Sequence, residues 1–187
     1  MDERMWNGLT GALVQAHSAM LAEGFVSPPN LMPLVSGRLI GQAQVRPMRR
    51  GKDAYVAISE LGNLAAGAEA DEVLITWESQ DLASACEHQP DFPGPCLTIL
   101  WATRARRAAY RFPYQETSRK RGRKQLPAVA PRWLPNPPPD PMPIPPPAIA
   151  AALELCWAPL EIGPPHDKLE VTVAYLRSEG YIVSMVA

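Results

Sequence analysis

A dense proline tract near the end of the chain limits what this sequence can fold into more than any other feature. Nine of the thirteen residues from Pro135 to Pro147 are proline. Proline lacks a backbone N–H and clashes with the preceding turn, so this tract cannot enter a helix or a central strand. It is expected to be an extended polyproline II segment, which at ~3.1 Å per residue spans roughly 40 Å.

The sequence that follows the proline tract has the pattern of folded protein. A helix is predicted to begin near Pro147, with its candidate buried positions at Ile149, Leu153, Cys156 and Trp157. The segment HDKLEVTVAYLRSEG predicts a second helix, and YIVSMV predicts a strand after it. Because apolar surface of this extent has to be buried, the tract is interpreted as a tether between two folded parts.

Three regions are therefore predicted. Residues 1–115 form an α+β core domain, 116–147 form a basic and proline-rich linker, and 148–187 form a C-terminal segment. About 40 residues are too few for an independent core without a metal, a disulfide or a partner. The C-terminal helix-helix-strand segment is expected to dock on the core domain or on another protein.

The core domain is expected to be an N-terminal helix packed on a mostly antiparallel sheet. Periodic apolar residues predict an amphipathic helix over 2–23, with Asp2 as its N-cap and Gly24 as its stop. The segments EVLITW and SQDLASACE predict a buried strand and a short helix, and LGNLAAGAEAD between the hairpin regions is interpreted as a loose connection.

Two β-hairpins are predicted in this domain, and both would end in arginines. The first pairs 38–46 with 54–59 around the tip PMRRGK, although the second arm also fits the start of a helix capped by Asp53. The second pairs the apolar arm 96–102 with an alternating arm that ends near Tyr114, around the tip TRARR.

Charge is strongly segregated along a chain whose formal net charge is only −1. Residues 24–52 contain five cations and no acid, residues 53–103 contain nine acids and no cation, and residues 104–132 contain ten cations and one acid. Such blocks predict a polarised surface. The alternative is that the blocks fold back and neutralise each other in surface ion pairs, which are individually weak.

The cations suggest a non-catalytic protein that binds nucleic acid, DNA or RNA, as a subunit of a larger nucleoprotein assembly. Cations on projecting or flexible elements suit phosphate contacts, and the aromatic residues among them are able to stack on unpaired bases. The candidate contacts form three groups: Arg46, Arg49, Arg50 and Lys52 at the first tip, Arg104, Arg106 and Arg107 at the second, and Arg119, Lys120, Arg121, Arg123 and Lys124 in the linker.

Two other functions remain open from the sequence. The basic blocks fit a protein-interaction subunit that binds an acidic partner protein. The third possibility is a Mg²⁺-dependent nuclease, because such enzymes hold the metal with clustered carboxylates and often use a strand-borne Glu-x-Lys. Here Glu78 closes a strand with Gln80 in place of the lysine, and Glu60, Asp71 and Glu72 lie upstream.

No metal and no cofactor are expected. Cys86, His88 and Cys96 lie within eleven residues, but their spacing is not that of a standard zinc knuckle, and buried structural cysteines explain them better. The absence of a long apolar run predicts no membrane span. Three cysteines without an export signal at the acidic N-terminus predict a reducing, cytoplasmic location.

Overall fold

The central strands carry apolar side chains at consecutive positions, so both faces of their sheet need a cover. In the segment EVLITWE, Val73 and Ile75 join one buried cluster while Leu74 joins a second cluster on the opposite face. The computed structural model describes residues 3–118, 129–141, 143–160 and 167–186, and it has helices on both faces of one sheet. The predicted α+β class is confirmed.

The sheet has eight strands among the described residues, and each of its pairs is antiparallel. The strands are β1 (Asn30–Val35), β2 (Arg38–Leu39), β3 (Gly41–Gln44), β4 (Glu72–Glu78), β5 (Cys96–Thr103), β6 (Arg107–Ser118), β7 (Val129–Trp133) and β8 (Ile182–Met185). Their order across the sheet is β7-β6-β5-β4-β1-β3-β8, with β2 paired to β1 outside this path.

Helices form the two outer layers. They are α1 (Glu3–Ala22), α2 (Lys52–Ser59), α3 (Gly62–Gly67), α4 (Ser79–Cys86), α5 (Pro147–Cys156) and α6 (Lys168–Ser178). Helix α1 covers one face, where Trp6, Leu9 and Leu13 pack on the smaller cluster. The other five helices contribute to the larger core on the opposite face. Among the described residues, no helix is both long and apolar enough to span a lipid bilayer.

The N-terminal helix ends where its sequence predicts. Gly24 has a φ of 87°, and the backbone N–H groups of Gly24 and Phe25 donate to Leu21 and Met20. A residue without a Cβ adopts this left-handed conformation without strain, which explains the glycine. The predicted N-cap, Asp2, lies outside the described residues.

A buried histidine joins α1 to β6 and β7. The His17 side chain is fully buried, its Nδ1 lies 2.9 Å from Ser27 Oγ, and its ring contacts the rings of Tyr114 and Trp133. Trp133 Nε1 donates to Ser18 Oγ at 3.1 Å. Burial lowers the pKa of His17 from its ordinary value of 6.5 to about 4. The imidazole is therefore neutral in the folded protein at neutral pH.

We expect acid to destabilise the protein through His17. The unfolded chain takes up a proton near pH 6.5 and the folded chain only near pH 4, so the stabilisation is complete above pH 6.5 and is lost as the pH falls to about 4. That difference in pKa corresponds to on the order of 3 kcal/mol. Urea unfolding at a series of pH values measures it. The His17→Leu variant should lose most of this pH dependence between 6.5 and 4, and an unchanged dependence would contradict the assignment.

The first predicted hairpin is wrong. Strands β2 and β3 both pair with β1 and not with residues 54–59, which belong to α2. Ala54, Ala57 and Ile58 are buried and place one face of α2 against α5, so a helical spacing of small and apolar residues was present in this short run. The helical alternative for this arm holds, with Gly51 rather than Asp53 at the N-cap.

The segment LGNLAAGAEAD is also more ordered than predicted, because it contains α3. Its Leu64 and Ala65 are fully buried in the larger core. A Cβ added at Gly62 or Gly67 would overlap α5 or Thr172 of α6, respectively. The glycines that suggested a loop from the sequence instead let two helices approach the α3 backbone closely, and this packing outweighs their poor helix propensity.

The C-terminal segment docks on the core domain. Helix α5 packs on α2 and α3, α6 packs on α3, and β8 extends the sheet beyond β3. The Tyr181 hydroxyl donates to Ala57 O and lies 2.7 Å from Glu60 Oε2, while Lys168 pairs with Glu69 at 2.9 Å. The predicted helix start at Pro147, the second helix and the final strand are all confirmed.

The proline tract leads from β7 to α5, and one isolated β-bridge attaches it to the sheet. After β7 pairs with β6, Leu134 N donates to Pro113 O, and Asp140 exchanges two backbone hydrogen bonds with Ala109. The Asp140 carboxylate also lies 3.7 Å from Arg111 Nη1. Prolines offer no N–H to a further strand, so a tract this rich in proline is a poor template for adding one. The division of the chain at 116 and 147 stays a prediction.

Candidate nucleic-acid interface

The second predicted hairpin is confirmed, and its tip is held in shape by one threonine. Strands β5 and β6 pair up to Ala102 opposite Arg107. Thr103 N donates to Arg106 O, and Thr103 Oγ1 accepts from the backbone N–H groups of Ala105 and Arg106 at 3.2 and 3.0 Å. This local bonding defines a short, ordered turn that projects three arginines from the end of the sheet.

Arg104, Arg106 and Arg107, the tip arginines, are exposed. Within the described ranges, none of the three makes an ion pair with a carboxylate. A guanidinium presents several N–H groups in a planar fork that matches phosphate or carboxylate oxygens. The tip therefore offers three exposed cations within four residues, none of them paired with a carboxylate of the described part of the chain.

A groove lies between the tip and the end of α5. Its volume is about 770 Å³. Its lining includes Ala102 and the tip on one side, and Ala150, Leu153, Glu154 and Trp157 on the other. The Arg104 guanidinium carbon lies 5.9 Å from the centre of the Trp157 ring. The tip arginines thus border an apolar, aromatic depression.

Arg107 lies on the face of the sheet that carries this groove. It lies two residues before Ala109 in β6, and Ala109 is buried in the larger core beneath the C-terminal helices. Arg107 and Ala109 therefore point to the same face, whereas Arg104 and Arg106 belong to the turn itself. The groove is therefore bordered by Arg107 on the sheet and by Arg104 and Arg106 in the turn.

The other predicted group does not form a hairpin tip, because Arg46, Arg49 and Arg50 lie in the loop before α2 and Lys52 is the first residue of that helix. Arg46 Nη2 lies 2.7 Å from Asp53 Oδ1, and the backbone N–H of Arg49 donates to Asp53 Oδ2 at 2.6 Å. The Arg46 guanidinium and the Arg49 N–H lower the pKa of the Asp53 carboxyl. Arg46 is therefore already paired, while the side chains of Arg49, Arg50 and Lys52 are exposed.

The register places these two cationic groups at opposite ends of the central strand β4. The tip follows Thr103, which pairs with Glu72 at the start of β4. The loop follows Gln44, which is opposite Asn30, and Asn30 is opposite Thr76 near the end of β4. The structure therefore does not combine them into a single patch, although both had been predicted to act as contacts.

The third predicted group, Arg119, Lys120, Arg121, Arg123 and Lys124, lies outside the described residues. Its role in binding stays a prediction.

Mutual neutralisation of the charged blocks is limited in the part of the chain that the structure describes. Arg46–Asp53 joins the first basic block to the acidic block. The other two ion pairs there, Arg111–Asp140 and Lys168–Glu69, each involve a residue outside these blocks. Among the described residues, one ion pair therefore joins two of the three charged blocks.

The carboxylates considered for a nuclease have separate structural partners. Glu78 is buried and caps α4, because its Oε2 accepts from Asp81 N at 2.6 Å. Its Oε1 accepts from Cys96 N of β5 at 2.9 Å. Burial raises the pKa of Glu78. The others are bonded individually: Glu60 to Tyr181, Asp71 to Ser36 N and Glu72 to Trp101. No described group of three His, Cys, Asp or Glu side chains has the geometry of a metal site.

The cysteines are placed as structural residues. Cys96 and Cys156 are buried, Cys86 is half-buried, and all three are free thiols. Burial raises the pKa of Cys96 to about 11 and that of Cys156 to about 12. Thiols held in the protonated form are poor zinc ligands and poor nucleophiles. The separate bonding of Cys96 Sγ to Leu97 O agrees with a packing role.

One residue of the groove was assigned differently from the sequence. Trp157 was predicted to be buried with Ile149 and Leu153, but it follows the last turn of α5 and is half-buried. A helical pattern alone does not reveal that the chain leaves the helix at this position. No family model, curated protein or solved structure matches this chain.

Proposed function

We propose that this chain is a non-catalytic nucleic-acid-binding protein, acting as a subunit of a larger nucleoprotein assembly, and that the tip arginines are its main phosphate contact. The observation that carries the proposal is the set of three exposed arginines without a carboxylate partner among the described residues. They stand on an ordered turn at the end of a long hairpin, where an extended polyanion has access.

The exposed side chains of Arg49, Arg50 and Lys52 supply a second, more distant contact in this proposal. Basic groups at both ends of the sheet suit a strand of nucleic acid longer than a few nucleotides. The three free thiols suit the reducing cytoplasm, where we place the protein.

Binding of a fluorescein-labelled 20-nucleotide DNA or RNA, measured by anisotropy over a series of salt concentrations, tests the proposal. Each neutralised phosphate releases counterions, so log affinity falls against log salt with a slope of about −0.7 per contact for single strands and −0.9 for duplex DNA. Three contacts predict a single-strand slope near −2 or steeper. No binding at low salt, or affinity that does not change with salt, would refute the proposal.

A protein-interaction subunit is the second candidate, and the exposed edge at β8 favours it. Ile182 and Val186 are 60% and 57% exposed, and Val171 and Tyr175 of the adjacent helix α6 are also exposed. An apolar, uncharged edge strand is a surface that proteins ordinarily cover. If the oligonucleotides do not bind, this second function becomes the leading one. The Ile182→Ser/Val186→Ser double variant should then recover less of a partner protein in an affinity pull-down than the wild-type chain does.

A further inference from the structure

We infer that the groove between the hairpin tip and α5 binds an unpaired nucleobase, so that single-stranded nucleic acid is preferred over duplex. This inference rests on the proposed function and adds the class of ligand. It is carried by the groove itself, by the position of Trp157 beside Arg104, and by the distribution of charge around them.

The size and lining of the groove suit a planar aromatic ligand. Its volume of about 770 Å³ lies in the range of small-molecule sites, which are mostly apolar with a few polar groups. Ala102 and Ala150 leave room between the hairpin and α5, and Leu153 adds apolar surface. Charged phosphate is poorly solvated against such a surface, whereas a base gains by leaving water.

Trp157 supplies a stacking surface. It is half-buried, and the Arg104 guanidinium lies 5.9 Å from its ring centre while the arginine side chain itself is exposed. A solvated cation near an aromatic ring contributes less than a stacked base does. A base that displaces Arg104 from the ring gains the stacking contact and leaves this guanidinium available to a phosphate.

The charged residues around the groove favour different positions for the phosphates and for the base of a nucleotide. Arg106 and Arg107 attract phosphates at the tip, whereas the Glu154 carboxylate on the groove wall repels them. The same carboxylate is able to accept a hydrogen bond from the exocyclic amino group of a base. This arrangement favours phosphates outside and a base inside. In duplex nucleic acid the base faces are already stacked, so they reach the groove only at the cost of unstacking.

Anisotropy of the full chain with a single-stranded 20-nucleotide oligonucleotide and with its duplex, at equal salt, tests this inference. We expect the single strand to bind at least tenfold more tightly. Trp157→Leu should weaken single-strand binding about tenfold, leave duplex binding and the salt slope unchanged, and Trp157→Phe should restore most of the loss.

Crosslinking of the wild-type protein to an oligonucleotide that contains 4-thiouridine gives a readout that does not depend on folding of the variants. Mass spectrometry should locate the adduct at Trp157 or its groove neighbours. Equal affinity for single strand and duplex, or adducts confined to other regions, would overturn the inference while a steep salt slope keeps the proposed function. No binding of either oligonucleotide would instead remove the proposed function itself.

Discussion

Replacing Gly62 with alanine is expected to lower the free energy of unfolding by about 1–3 kcal/mol. A Cβ at this position would overlap the carbonyl oxygen of Ala152 and lie 2.8 Å from Leu155 Cβ, both on α5. Because the obstacle includes helix backbone, it cannot move aside as a flexible side chain would, and α5 has to shift away from α3. For a chain of this size the melting temperature should fall by several degrees.

The matched control is Gly8→Ala or Gly11→Ala in α1. A Cβ at either position meets no atom within 4 Å, and both glycines lie inside a long helix. Alanine is the better helix former, so each control should raise stability by up to ~1 kcal/mol. Differential scanning calorimetry compares the three variants. A Gly62→Ala protein as stable as the wild type would contradict the close packing of α5 on α3, and with it the docking of the C-terminal segment.

Local patterns were sufficient to predict the elements whose periodicity is long and regular. The alternating side chains of 107–114 predicted β6 and its tip, and the apolar spacing of 2–23 predicted α1. The helix after the proline tract was predicted because proline at the first helical position precedes an apolar period of three to four residues. In each case the local preference and the tertiary environment agree.

Short segments were predicted less well, because their structure depends on contacts that the sequence does not display. The apolar pattern of the eight residues of α2 fits a strand or a helix equally well. Burial of Ala54 and Ala57 against α5 stabilises the helix. The glycines of α3 suggested a loop, because the sequence does not display their close approach to α5 and α6. The bonding of Asp140 to Ala109 joins residues far apart in sequence, so composition predicted only that the tract is extended.

In the candidate site, too, the sequence predicted the features set by local pattern and missed those set by long-range contacts. The tip arginines were found from sequence, since they lie between two strand-like arms. The groove was not, because it forms only when the hairpin and α5 meet across the core. The sequence predicted Arg46 as a contact because no local signal revealed its ion pair with Asp53. Arg49 and Arg50 are exposed, and their contact role stays a prediction.

Removing charge at the tip is the most direct measurement of the central claim that the tip arginines grip phosphates. The Arg106→Gln/Arg107→Gln variant should flatten the slope of log affinity against log salt by one to two units, because its binding neutralises fewer phosphates and so releases fewer counterions. Both side chains are exposed, so stability should change by less than ~0.5 kcal/mol. The Arg49→Gln/Arg50→Gln variant removes the same charge at the opposite end of the sheet, and it should flatten the slope less. A tip variant that binds with the wild-type slope would contradict the claim.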